Sequence, residues 1–70
     1  MILTPINRAK ELTEVETQLL DIRFRLRQQA LIGGRVVEVA HMLLAIEREK
    51  LGGMPANIHM IRLRIKELTK

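Results

Sequence analysis

Five apolar residues, Leu12, Val15, Leu19, Ile22 and Leu26, recur at steps of 3, 4, 3 and 4. That spacing puts them on one line of an α-helix, the seam along which one helix packs against another. A strand cannot use it, because side chains two residues apart share a strand face and this run breaks that rule at every odd step. The seam predicts an all-α fold in which the helix carrying it lies along a partner helix.

Local signals bound this helix and two more. Thr4-Pro5 is a start signal, since a Thr cap accepts a backbone N–H bond and Pro at the first helical position lacks a donor that would be unpaired anyway. Gly33-Gly34 is a stop, because Gly takes the left-handed conformation at a helix end without a Cβ clash. Helix one is therefore expected over about residues 5–32, with Lys10–Glu14 and Asp21–Arg25 as pairs four apart. Leu20, Phe24 and Leu31 form a second apolar line on it. Helix two, about 35–51, carries Val36, Val39, Leu43 and Ile46 on one line, with Val37, Ala40, Leu44 and Leu51 beside it. Its polar stripe, Glu38, His41 and Arg48, is narrow, and a helix so widely apolar is expected to be central or self-associating. Gly52-Gly53 and Pro55 end it. Asn57 then caps a last helix, about 57–69, with Ile58, Ile61, Ile65 and Leu68 at steps of 3, 4 and 3.

The hexads 22–27 and 61–66 also alternate apolar with basic residues, a period-two pattern that suits strands. Because the longer 3-4 registers run through both, they are read as helix, with a basic β-ribbon as the structural alternative. The expected architecture is an antiparallel helical hairpin with a third C-terminal helix, one small domain over residues 1–70. A single core in a chain this short supplies only a few kcal/mol, so homo-oligomerisation is expected to complete it.

Composition narrows the function. The chain has no Cys, Trp or Tyr and also no Ser, which leaves only Thr4, Thr13, Thr17, Thr69 and the lysines as nucleophile candidates. Catalysis is not expected, and neither is a cofactor. His41 and His59 are 18 residues apart without cysteines or the two-histidine spacing of a zinc helix, so no metal site is expected. The glycine pairs lack the spacing of a phosphate-binding loop and read as helix stops. A helix-turn-helix over residues 47–65 fails because Glu47, Arg48 and Gly53 fall where that motif packs small or apolar side chains. The most apolar run, 36–46, is too short for a membrane helix, which needs about 20 residues. Met1-Ile2-Leu3 is too short for a signal segment, so a soluble, cytoplasmic protein is expected.

Charge is uneven. Residues 1–22 carry Arg8 and Lys10 against Glu11, Glu14, Glu16 and Asp21, while the remainder carries ten basic residues against Glu38, Glu47, Glu49 and Glu67. Such a basic remainder attracts polyanions or an acidic protein surface. Two readings follow. In the first, the chain is a protein-interaction module, a regulator or inhibitor of a larger protein, docking through Leu20, Phe24 and Leu31. Leu12, Val15, Leu19, Ile22, Leu26, Val36, Val39, Leu43, Leu44 and Ile46 then form its core or oligomer interface. In the second, it binds RNA or DNA through Arg23, Arg27, Gln29, Arg35, Arg62, Arg64 and Lys66.

Phe24, Leu26, Arg27, Gln29, Ala30 and Gly33 stand in the order and spacing of the signature of the ribosomal large-subunit protein family numbered twenty-nine, and Ala9-Lys10-Glu11-Leu12 looks like its opening. Over roughly residues 9–34 the chain resembles that family. The resemblance implies an antiparallel two-helix hairpin on ribosomal RNA near the exit tunnel, with Arg27 and Gln29 on matching positions. The family's second helix is rich in paired arginines, where this chain has Ile46-Glu47-Arg48-Glu49-Lys50, and residues 52–70 have no counterpart in it.

Overall fold

Three helices make up the computed structural model, which describes residues 6–29 and 34–70: α1 (Ile6–Gln28), α2 (Gly34–Lys50) and α3 (Ile58–Leu68). Among the described residues there is no strand. Both alternating hexads are helical, and side-chain burial shows why the longer register wins. Ile22 and Leu26 are buried while Phe24 between them is exposed, and Ile61 and Ile65 are buried while Leu63 is exposed. A strand would have turned all three members of each set to one face.

The core holds Leu12, Val15, Leu19, Ile22 and Leu26 of α1, Val39 and Ile46 of α2, Ala56, and Ile58, Ile61 and Ile65 of α3. Val36, Met42, Leu43, Ala45 and Leu68 pack against it half-buried. No polar or charged residue among those described is buried. The centre belongs to α1, which packs against both α2 and α3, whereas α2 and α3 touch each other less. This corrects the expectation of a central α2. Its wide apolar circumference measures how much cover the helix would accept, and α3 covers α1 instead.

Boundaries follow their signals with small shifts. Helix one closes at Gln28 and Gln29 lies in a turn, earlier than the expected end at 32. Gly34 is the first residue of α2 rather than part of a stop. Thr4-Pro5, Leu31 and Gly33 lie outside the described residues. The C-terminus of α2 is closed by Gly52 at φ +89°. The Gly52 N–H donates to the Glu49 carbonyl at 3.0 Å and the Gly53 N–H to the Arg48 carbonyl at 2.8 Å, the pair of bonds that defines a Schellman end. At the start of α3 the Asn57 side-chain oxygen accepts from the Met60 N–H at 3.1 Å, as its cap position predicts. Asn57→Ala is expected to cost about 1 kcal/mol, a fall in Tm of about 4–8 °C for a domain this size. A thermal melt followed by circular dichroism checks it, and an unchanged Tm would show that the cap contributes nothing.

Ion pairs tie the elements together. The Arg8 guanidinium donates Nε and Nη2 to the two carboxylate oxygens of Glu49 at 2.8 and 2.9 Å, and Nη2 also to the Ala56 carbonyl at 2.8 Å. Lys50 reaches Glu16 at 2.7 Å and Arg62 reaches Glu11 at 3.4 Å. Asp21 and Arg25 pair at 3.1 Å as their spacing predicts, but no ion pair joins Lys10 to Glu14. No helix among the described residues is long and apolar enough to cross a membrane.

Candidate interaction faces

Because the buried seam takes one side of α1, the opposite side is left with Leu20 and Phe24, four residues apart and therefore neighbours on the helix surface. Phe24, the only aromatic residue, is 59% exposed. Asp21, Arg25, Arg27 and Gln28 surround this pair on the same exposed side. Leu31, expected to extend the line, lies outside the described residues.

A second apolar face lies on the side of α2 turned away from α1. Val37 and Leu44 are 52% and 59% exposed, and Leu51, in the turn just past Lys50, is 81% exposed. Leu44, named with the core or oligomer interface from sequence, thus stands apart from Val39 and Ile46, which are inside. A shallow groove of about 570 Å³ runs beside it, lined by Val37, His41, Met42, Ala45 and Met60. Another, of about 460 Å³, lies near the C-terminal end of α2 between Leu44, Leu51 and Gly53. Sequence reading placed Leu44 and Leu51 on α2 but had no signal for which of its apolar residues would be left outside.

The basic residues separate into two groups. Arg62 and Arg64 turn back on carboxylates of the chain itself: Arg62 on Glu11, and Arg64 on both Glu38 and Glu67. Arg64 hydrogen-bonds Glu38 through Nε and Nη2, and this bond, more than the charge alone, holds the Glu38 carboxyl below the ordinary carboxylate range against the opposing effect of burial. His41 is exposed, and the Glu38 carboxylate one turn away is engaged by Arg64 rather than by it. At the N-terminal end of α2, Arg25, Gln29, Arg35 and Lys70 surround a polar hollow of about 260 Å³. Arg23 is half-buried, and Arg27 and Lys66 are exposed but line no part of that hollow.

The chain matches no known protein-family model, no curated protein and no solved structure.

Proposed function

We propose that this chain is a small non-enzymatic protein-interaction module, an antiparallel helical hairpin with a third helix, that self-associates and regulates or inhibits a larger protein. The observation that carries this reading is the exposed pair Leu20 and Phe24 on the back of a helix whose other side is already buried. An amphipathic helix of a partner docks by laying apolar anchors along such a pair. The Arg8–Glu49 pair supports the hairpin, because it links the first turns of α1 to the last turn of α2. Phe24→Ala is expected to abolish capture of a stoichiometric partner in high salt while leaving helicity unchanged, since Phe24 packs into no core. Partner binding that survives Phe24→Ala, or a loss of helicity in that variant, would remove the anchor.

The second reading, nucleic-acid binding, is favoured by the convergence of Arg25, Gln29, Arg35 and Lys70 around one hollow. Phosphate contacts have a salt signature, a slope of log K against log salt of about −0.9 per phosphate on duplex DNA. Labelled structured RNA and duplex DNA titrated across a salt series separate the two readings. Docking through Leu20 and Phe24 is expected to give weak binding to both nucleic acids with no sequence preference; tight binding with a steep slope that Arg35→Ala flattens would transfer the function to the basic end.

A further inference from the structure

We infer that the hollow walled by Arg25, Gln29, Arg35 and Lys70 binds a terminal phosphate group, as on a phosphomonoester or a pyrophosphate. This rests on the same convergence of residues as the nucleic-acid reading above and names the group bound there: a phosphate with a free end in place of a backbone diester.

Arg35 is the member of this group that local folding rules do not account for. Cations are favourable at helix C-termini, which explains Arg25 in the last turn of α1 and Lys70 just past α3. Arg35 is the second residue of α2, where the dipole is positive and a cation is unfavourable, and no acidic residue stands in that first turn to offset it. Two more cations share its hollow. Among the described residues no carboxylate lines the hollow and none pairs with Arg35 or Lys70, whereas Arg8, Lys50, Arg62 and Arg64 each meet one. Residues 1–5 and 30–33 contain no Asp or Glu, so the chain has no further acidic side chain to send there. Arg25 does meet Asp21, at 3.1 Å, but the two side chains are 65% and 56% exposed, a pair weak enough to be exchanged for a stronger anion. Local rules broken with no compensation inside the chain are expected at functional sites.

Shape and charge select the kind of phosphate. Buried Ile22 and Leu26 and half-buried Leu68 close the floor of the hollow with the core, so a ligand enters and leaves by the same side. A phosphodiester carries a single charge and needs two exits for its chain, while a phosphate end carries about two charges at neutral pH and needs one exit. The volume, about 260 Å³, lies below the roughly 300–1,000 Å³ of pockets that engulf whole small molecules. The hollow therefore takes the phosphate end and leaves the rest of the ligand outside. Arg25 and Arg35 supply planar guanidinium forks that match phosphate oxygens two at a time. Gln29 adds an amide N–H donor and Lys70 a further charge.

Titration with sodium pyrophosphate at constant ionic strength, followed by heteronuclear NMR of the backbone amides, tests the site. Saturable shifts confined to the surroundings of Arg25, Gln29, Arg35 and Lys70 are expected, with a Kd of about 1 mM or lower. Arg35→Ala is expected to weaken binding at least about tenfold, the loss of one charged hydrogen-bonding group. In phosphate-free buffer the same variant is expected to raise Tm, because it removes a cation from the positive end of α2; a lowered Tm with unchanged binding would make Arg35 a structural residue and overturn the site. Arg48→Ala, near the other end of α2, is expected to leave binding unchanged. Equal losses in the two variants, or shifts that do not saturate, would reduce the effect to overall charge and also overturn it. Two forms of one short RNA strand, with a phosphorylated or a hydroxyl end, then identify the source of the phosphate. Tighter binding of the phosphorylated form, displaced by pyrophosphate, would support a nucleic-acid end as the ligand. Pyrophosphate binding with neither strand bound would support a small phosphorylated ligand and remove the nucleic-acid reading. Equal binding of both strands with no response to pyrophosphate would overturn the terminal phosphate and leave the nucleic-acid reading standing.

Discussion

Leu19→Ala is expected to destabilise the fold by about 2–5 kcal/mol, while Leu20→Ala, one residue along, changes it by no more than about 0.5 kcal/mol. Leu19 is 0% exposed and sits mid-seam on the helix that touches both others. Truncating it removes the transfer free energy of the lost atoms and leaves a cavity, because α2 and α3 are each held by contacts on either side of the gap and collapse only partly. For a chain of 70 residues a typical total stability is about 4–10 kcal/mol, so the loss takes a large share and is read directly from the urea midpoint of the variant. Unfolding in urea, followed at 222 nm at one fixed protein concentration, checks both. The midpoint should fall for Leu19→Ala with an unchanged slope, which marks lost stability rather than an altered unfolded state, and fixed concentration holds any contribution of self-association constant. Equal losses at the two positions would contradict the placement of α1, which buries Leu19 and leaves Leu20 exposed.

The contrast between positions 19 and 20 also marks how much of the fold is legible in the sequence. On α1 the five residues of the seam are the five that are buried, and on α3 Ile58, Ile61 and Ile65 are buried as their spacing predicts. In both helices the seam is the longest apolar line at 3-4 spacing, so periodicity orients them even though Leu20 and Phe24 of α1 and Met60 and Leu63 of α3 stand off it. On α2 it does not. Apolar residues cover much of its surface, and only Val39 and Ile46 are buried; which stripe turned inward was settled by tertiary packing, chiefly against α1, which no local spacing encodes. The same limit applies to charge. Arg62 and Arg64 read as free cations in a basic C-terminal part, yet their carboxylate partners Glu11 and Glu38 are on other helices. Of the faces proposed for binding, Leu20 and Phe24 were visible as an apolar line off the seam. The convergence of Arg25, Arg35 and Lys70 was not, because it depends on the ends of three helices meeting.

Glu49 was likewise unremarkable in sequence, one of four charged residues closing α2, and its replacement is expected to have the largest effect of any charged position. Its side chain is 11% exposed and Arg8's is 28%. The carboxylate accepts two bonds from Arg8 and a third from the Ala56 N–H at 2.7 Å, so one group joins α1, α2 and the segment leading into α3. Glu49→Ala leaves the Ala56 N–H without its acceptor and the Arg8 guanidinium with a carbonyl in place of a carboxylate. An unsatisfied buried donor costs about 1–3 kcal/mol and a lost charged hydrogen bond a similar amount, so a total of about 2–4 kcal/mol is expected. Lys50→Ala, which breaks the more exposed pair with Glu16, should cost under about 1 kcal/mol. The acid limb gives an independent measure. The hydrogen bonds from Arg8, ahead of the bond from Ala56 and against the effect of burial, hold the Glu49 carboxyl below its ordinary value of 4.5. Glu38 is shifted in the same direction by Arg64. A carboxyl with a depressed folded-state pKa binds its proton more readily in the unfolded chain. Its stabilisation is therefore complete above 4.5 and is lost as pH falls through the folded value. Stability measured in urea should hold level from neutral pH down to about 5 and then drop. In Glu49→Gln, which keeps the size and one acceptor oxygen but does not titrate, the curve should start lower and fall less steeply, with Glu38 supplying the slope that remains. Acid limbs of equal steepness in the two proteins would show that the Arg8–Glu49–Ala56 junction is an exposed contact of little consequence rather than the clamp at this end of the bundle.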